Sequence, residues 1–359
     1  MGNTGPAPGA FADGMTLARW VAMKQALVTG ANGHIGSNLV RDLQEHGYTV
    51  VAGVRTGADV RGLAGLEVRR ISGDVLDADA MAAAVAGMDV VFHLGAPYAV
   101  WAKDPSSIVE PAVRGTENVL RAAKAAGVRR VVVTSSCNAV GFTKGEPLDE
   151  TSWNERISSP YLRAKGEQER LAHALAKELD LDVVMVLPTA VLGPYDYRKT
   201  PTMAPFVDAL RGSGPVPFPM NVVDVRDVAR GHVLAAEKGR RGERYLLGGE
   251  NVDLATLATL IEQQTGKRPS EGLPPSWVLR AVAVVAEAAS AISGKAPPIT
   301  RAVLDDVAGG VPLFDIGKAR KELGYEPRGA AEVIEATVRW ADEMGWLPKR
   351  AARPQPAAG

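Results

Sequence analysis

Short apolar runs punctuate the first half of the chain, at 24–29, 48–54, 66–72, 89–94, 129–134 and 182–188. Between them apolar residues recur at helical spacing, as at positions 35, 39, 40 and 43, and helices are predicted over 105–126 and 160–179. Such alternation predicts an α/β architecture, a parallel sheet with helices on both faces. After Gly193–Pro194 the pattern changes. Prolines at 194, 201, 205, 215, 217 and 219 interrupt the chain, and helical periodicity dominates from 253 onward, which predicts a smaller, mainly helical lobe. Residues 221–249 are expected to return to the sheet through a helix (Arg226 to Lys238) and a strand (Arg244 to Leu247). The predicted division is therefore 23–193 with about 221–249 in one domain, and 194–220 with about 250–347 in the other.

Composition narrows the field of functions. With 359 residues, 46% hydrophobic and 23% charged, the chain suits a soluble protein of about two domains. Lys plus Arg and Asp plus Glu number 41 each, so no global field favours nucleic acid or an anionic membrane. The single cysteine, Cys137, excludes an internal disulfide, and histidines at 34, 46, 93, 173 and 232 are too scattered to read as a metal motif. A cytoplasmic location without a metal is expected. Residues 1–22 lack a basic and apolar leader pattern, and they and 348–359 read as loose tails, with Met23 opening the first strand. The most apolar long segment, Trp277 to Ile292, is interrupted by Arg280 and Glu287 and is shorter than a membrane span needs, so a buried or interfacial helix is expected there.

The turn between the first run and the first helix carries candidate chemistry. Residues 29–36, Thr-Gly-Ala-Asn-Gly-His-Ile-Gly, place glycines at 30, 33 and 36. Gly30 allows a tight turn, Gly33 lets the backbone approach a pyrophosphate, and Gly36 lets the helix pack closely on the strand while its free N–H groups face the anion. Thr29, Gly30, Asn32, Gly33, His34, Ile35 and Gly36 are thus candidate nucleotide contacts; the bland alternative is an ordinary turn in a glycine-rich chain. An acidic residue about 20 positions on would select NAD, yet the second strand ends in Arg55, whose planar guanidinium suits a 2′-phosphate. NADP is the preferred cofactor, NAD the second candidate, with Arg61 as a second phosphate contact; a solvated loop arginine is the alternative. Gly73-Asp74-Val75 follows the third strand, where Asp74 suits an adenine amino group or simply a turn.

Tyr161 and Lys165 stand four apart on a helical stretch, with Thr134-Ser135-Ser136 ending an earlier strand. At that spacing both side chains share one helix face. A tyrosine must fall by ~3 pKa units to exchange protons readily near neutrality, a cost of ~4 kcal/mol. One cation at ~4 Å in an effective dielectric of ~20 supplies about that. Lys165, helped by the positive charge of oxidised nicotinamide, is therefore expected to poise Tyr161 as general acid or base while Ser136 hydrogen-bonds the substrate oxygen.

The segments TGANGHIG, GDVLD, VFHLGAP, VVVTSSCNAVG, YLRAK, LPTAVLGP, VVDVRDVARGH and GERYLLGGENVDL occur in this order. Together, over roughly residues 23–345, the chain resembles the extended short-chain dehydrogenase/reductase superfamily, most of all its dihydroflavonol-reductase-like and hopanoid-associated sugar epimerase branch. The resemblance implies a Rossmann-type doubly wound sheet with a smaller substrate lobe, an NAD(P) cofactor, and a Ser-Tyr-Lys triad on Ser136, Tyr161 and Lys165. Ser136 is preferred to Ser135 because it lies five before Gly141. The resemblance also implies that Val75, Leu94, Gly95, Ala96, Thr134, Pro188 and Thr189 line the cofactor, and that the stretches 105–126 and 160–179 pair in a homodimer. Two positions depart from the family pattern: Ala112 stands where relatives often have Asn, and Cys137 follows the triad serine.

By family position Tyr98, Trp101, Asn138, Phe142, Tyr195, Phe206, Phe218 and Met220 face the substrate. Most are aromatic or apolar, which suits an apolar carbonyl compound better than a nucleotide sugar, though such residues are more often simply core. The leading expectation is an NADPH-dependent reductase of a small molecule. A sugar epimerase or dehydratase is second, and a non-enzymatic NADP-sensing protein or a membrane-associated role through 277–292 is weaker.

Overall fold

The computed structural model describes residues 24–348 apart from 100, 217, 295, 296 and 298. Met23 and the expected tails, save Pro348, lie outside the described residues.

The apolar runs form a seven-stranded sheet: β1 (Lys24–Thr29), β2 (Tyr48–Val54), β3 (Arg69–Ser72), β4 (Val90–His93), β5 (Arg130–Thr134), β6 (Val183–Pro188) and, from farther along, β9 (Arg244–Leu247). Its order is β3-β2-β1-β4-β5-β6-β9, and every pair is parallel. Strands covered on both faces are largely apolar, and the inner strands β4 and β6 and the edge strand β9 are buried at every position, His93 and Arg244 included. β3 is shorter than the run 66–72, because this edge strand pairs with β2 only from Arg69. Helices α1 (His34–Glu45), α2 (Ala78–Val85), α3 (Ser106–Ala125), α4 (Pro160–Glu178) and, after a gap, α6 (Val225–Lys238) flank the sheet, α1 packing on α6 and α3 on both α2 and α4. The strand order reverses between β1 and β4, so a crevice opens at their carboxyl ends.

The rest of the chain builds a second core from α5 (Met203–Arg211), α7 (Leu254–Thr265) and α11 (Ala330–Glu343), among them Phe206, Val207, Leu257, Ile261 and Trp340. It is not wholly helical. β7 (Ala190–Leu192), β8 (Met220–Asp224) and β10 (Glu250–Val252) form a small mixed sheet in the order β10-β8-β7. These strands of three to five residues escape periodicity because their pairing joins distant segments. α10 (Gly317–Leu323) packs on α6 and β9. α8 (Ser276–Ser293) and α9 (Arg301–Val307) pack on each other.

Of the buried or interfacial helix expected here, α8 is not the buried kind, nor is it too short to span. It is long and apolar enough to cross a membrane by length and composition, and only 11% of it is buried. Its two charges turn to α9, Arg280 to Asp305 and Glu287 to Arg301, leaving Trp277 at 73% and Ile292 at 91% exposure.

Candidate active site

The glycine turn has the backbone its sequence calls for. Gly30 sits at φ +67°, a left-handed conformation that side chains resist, and Gly33 N–H closes the turn on its carbonyl at 2.9 Å. At Gly36 a Cβ would lie 2.3 Å from that same carbonyl, so only glycine lets α1 start against β1. No side chain caps α1, and its N-terminal N–H groups face the crevice mouth uncapped. This cradle fits a pyrophosphate. The polar side chains of the turn are committed elsewhere: Asn32 donates to the Asp59 carbonyl at 2.8 Å, and His34 Nε2 bonds the Pro194 carbonyl at 3.0 Å. Ile35 packs against the main core.

Arg55 is exposed just after β2; its carbonyl accepts the Ala58 N–H at 3.1 Å, and among the described residues no hydrogen bond or ion pair holds its guanidinium. Arg61 is exposed but paired. Its guanidinium is held by Asp59 at 2.7 Å and lies over the Tyr197 ring, because the two opposite charges stand only two residues apart. Asp74 accepts the Leu76 N–H at 3.1 Å, an Asx turn, and Val75 is buried beside Gly95 and Gly115. Leu94 and Gly95 donate their N–H groups to Thr29 Oγ1, and Ala96 N–H turns back to the Leu94 carbonyl. Pro188 ends β6, and the Thr189 hydroxyl is spent on Asn221 Oδ1 at 2.9 Å.

Tyr161 and Lys165 owe their position to the start of α4. Ser159 caps the helix, Pro160 occupies the first turn, and the Asp306 carboxylate of α9 accepts the N–H groups of Ser158 and Ser159. At the end of β5 the two serines diverge. Ser135 donates to Glu169 Oε2 at 2.5 Å, inside a buried group where Glu169 also receives Arg244 at 2.6 Å. Ser136 stays beside Tyr161, its Oγ accepting the Asn138 N–H at 3.2 Å. Thr134 is buried, its hydroxyl bonded to His232 Nε2 and its carbonyl receiving the Lys165 ammonium at 3.0 Å.

Burial pushes the Tyr161 hydroxyl well above its ordinary value; Tyr98 and Cys137 add to this, and the Ser136 hydroxyl opposes it. Burial pushes Lys165 down to about 8, against the pull of Glu169. Lys165 by itself does not offset the rise in Tyr161: the ammonium is engaged by the Thr134 carbonyl and Gln168 Oε1, and burial favours the protonated tyrosine. A protonated phenol is the form a proton donor needs.

Of the residues expected to face substrate, Tyr98 comes to the triad, its ring 5.0 Å from that of Tyr161. Asn138 follows Ser136, and its carbonyl accepts from Asn154. Phe142 lies near Gly309, and Trp101 is half-buried. The second lobe takes up the remainder: Phe206 and Met220 are 4% exposed in its core, Phe218 packs on that core, and Tyr195 is held between Arg41 and Trp340. Position along the chain does not separate pocket from core. Residues that sequence reasoning missed are His93, Thr116, Gln168 and Glu169, all buried around Lys165; the last two follow Lys165 by three and four residues, a helical spacing that was there to read. A cavity of about 290 Å³ is lined by Glu150, His173, Arg244 and Lys318 among others, on the far side of the Glu169 carboxylate that Arg244 and His173 both approach. Among the described residues no group of three His, Cys, Asp or Glu is placed to hold a metal.

Residues 26–248 match the model of the NAD dependent epimerase/dehydratase family. The chain is 34% identical to a putative dihydroflavonol 4-reductase of Synechocystis sp., covering 93% of this chain and 99% of that one. It is 33% identical to sterol demethylase protein B of Methylococcus capsulatus, over 89% and 99% of the two chains. The solved UDP-glucose 4-epimerase of Thermotoga maritima superposes with a TM-score of 0.71 at 26% identity, covering 89% of this chain and 99% of that one. With its glycine cradle, parallel sheet and this match over more than half its length, the chain belongs to the NAD-dependent epimerase/dehydratase family.

Proposed function

We propose that this enzyme is an NADPH-dependent reductase acting on the carbonyl of an apolar or aromatic small molecule, with Ser136, Tyr161 and Lys165 as its triad. The observation that carries this reading is the buried Tyr161, which has the Ser136 hydroxyl within hydrogen-bond reach and the ring of Tyr98 5.0 Å away. Ser136 would hydrogen-bond the substrate oxygen, Tyr161 would deliver a proton to it, and Lys165 would hold positive charge beneath the tyrosine as that proton leaves. Bound NADPH supplies the hydride. Thr29, Gly30, Gly33 and Gly36 would hold its pyrophosphate, Asp74 its adenine end and Arg55 its 2′-phosphate.

A reductase relative and a sterol-processing relative, by their names, support an apolar substrate. The structural likeness to a sugar epimerase supports a second reading, in which hydride returns to the substrate and no net oxidation occurs. In the leading reading the two lobes divide near 193, 221 and 249, and the enzyme is cytoplasmic and pairs with a second copy through α3 and α4. Titration with NADPH and NADH by nicotinamide fluorescence, joined to a panel of aromatic and aliphatic aldehydes and ketones, tests the proposal. Tighter NADPH binding with steady NADP accumulation supports it; tight binding without net oxidation favours the epimerase.

A further inference from the structure

Lys165 sits at one end of a continuous buried chain of hydrogen bonds. Its ammonium donates to Gln168 Oε1 at 3.0 Å, and Gln168 Nε2 reaches Thr116 Oγ1 at 3.0 Å. Thr116 Oγ1 faces His93 Nε2 at 3.0 Å and donates to the Ala112 carbonyl at 2.7 Å. His93 Nδ1 faces Thr29 Oγ1 at 2.9 Å, and that oxygen also meets the N–H groups of Leu94 and Gly95. Thr29, His93 and Thr116 are 0% exposed and Gln168 is 1% exposed, so each polar atom must find its partner within the protein.

Only one arrangement of protons satisfies these contacts. The single proton of Thr116 goes to the Ala112 carbonyl, which can only accept, so both lone pairs of Thr116 receive N–H groups, from Gln168 and from His93 Nε2. His93 is then neutral with its proton on Nε2, in keeping with burial and the nearby Lys165 pushing it down to about 3. Its Nδ1 accepts the Thr29 proton, and the lone pairs of Thr29 take the two backbone N–H groups. Turning the Gln168 amide over would set an NH₂ against the ammonium and a carbonyl against an oxygen with no proton to give. The Gln168 carbonyl is locked toward Lys165 from as far away as the glycine turn.

We propose that Gln168 is the positioning residue of Lys165: its side-chain carbonyl, oriented by Thr116 and His93, fixes the ammonium against the Thr134 carbonyl and leaves one N–H for the proton donor. This rests on the triad reading above. The other titratable groups around Lys165 are Tyr161 and Glu169 on its own helix, the latter paired with Arg244 of β9, His93 of β4, Cys137 after β5, and His232 of α6 behind Thr134.

The test reads Lys165 directly in cofactor-free protein, by the pH titration of its ¹³Cε resonance, assigned by its loss in Lys165→Met. Gln168→Met removes an acceptor that favours the ammonium, so the midpoint falls by roughly one pH unit or more; Gln168→Glu adds a carboxylate at the same place and raises it by a similar amount. In turnover, the limb lost at high pH moves in the same two directions. Midpoints that stay put, or move the same way in both variants, overturn the inference. Should either variant fail to fold, Thr116→Val leaves Gln168 and Lys165 in place but frees the amide to turn, and again predicts a fall; an unmoved midpoint overturns it. Because the resonance needs no turnover, a Tyr161→Phe enzyme that remains active would sink the triad reading and still leave the role of Gln168 measured.

Discussion

Tyr98 and Tyr161 lie with ring centroids 5.0 Å apart at a 48° tilt, while the Tyr98 hydroxyl bonds Thr202 Oγ1 at 2.6 Å. The loop after β4 is thereby tied to the segment that leads into α5 of the second lobe, directly above the proposed proton donor. Tyr98 is still 42% exposed, so one side of its ring is available to a substrate. An aromatic wall lost from a binding site costs about 1 kcal/mol beyond its area. Tyr98→Ala should therefore raise KM for an aromatic carbonyl by roughly 10-fold, while Tyr98→Phe, which loses only the Thr202 bond, should stay within about 3-fold. Steady-state kinetics on the two variants checks this; equal effects would show that the hydroxyl, not the ring, matters.

Ser135 and Ser136 are neighbours with different tasks. If Ser136 is the triad serine as proposed, Ser136→Ala removes a hydrogen-bond donor from the reacting oxygen and should lower kcat by ~10²–10³. Ser135→Ala strips a donor from the buried Glu169 carboxylate and should cost about 1–3 kcal/mol in urea unfolding with kcat largely kept. The reverse pattern would reassign the triad serine.

Stability should fall on mild acidification in part because His93 and His232 are buried neutral, with His34, also held down by burial, adding in the same direction. Burial pushes His93 down to about 3 and His232 to about 4, from an ordinary value near 6.5. Both folded values are depressed, so their contribution is complete above about pH 6.5 and is lost as pH falls toward them, the unfolded chain binding two more protons. The slope from this pair is about 2.7 kcal/mol per pH unit between roughly pH 6 and 4. His232→Gln should flatten it by about half; an unchanged slope in chemical denaturation at graded pH would contradict the assignment.

In the proposed NADPH-dependent reductase, Arg55 is the residue that carries the nucleotide preference. With Arg61 engaged by Asp59, Arg55 is the guanidinium at the end of β2 left for a 2′-phosphate. Arg55→Gln should weaken NADPH binding by ~10-fold or more, the worth of a charge-assisted hydrogen bond, and leave NADH almost unchanged. Equal loss for both nucleotides would argue against 2′-phosphate recognition.

How legible a feature was in the sequence follows from how local its physics is. The strands of the large sheet and the turn at Gly30, Gly33 and Gly36 were readable because burial on both faces and a left-handed turn each dictate residue type at fixed positions. The small sheet of β7, β8 and β10 was not, since strands of three to five residues carry little period and gain their identity from distant partners. Phe206 and Met220 show the same limit: an apolar residue looks alike whether it lines a pocket or fills the second core. The environment of Lys165 was half legible. Gln168 and Glu169 follow at helical spacing, but that Thr116 and His93 orient the first, and Arg244 neutralises the second, depends on strands and helices folding over α4.

The most direct test of the account is Tyr161→Phe, which removes one hydroxyl and keeps the ring against Tyr98. Turnover of the best carbonyl substrate and NADPH affinity by nicotinamide fluorescence are measured on the same preparation. The account predicts that turnover falls by ~10³ or more, far beyond a lost packing contact, with the NADPH Kd within about 2-fold of the parent. Turnover within about 10-fold of the parent would contradict it and remove Tyr161 as the proton donor.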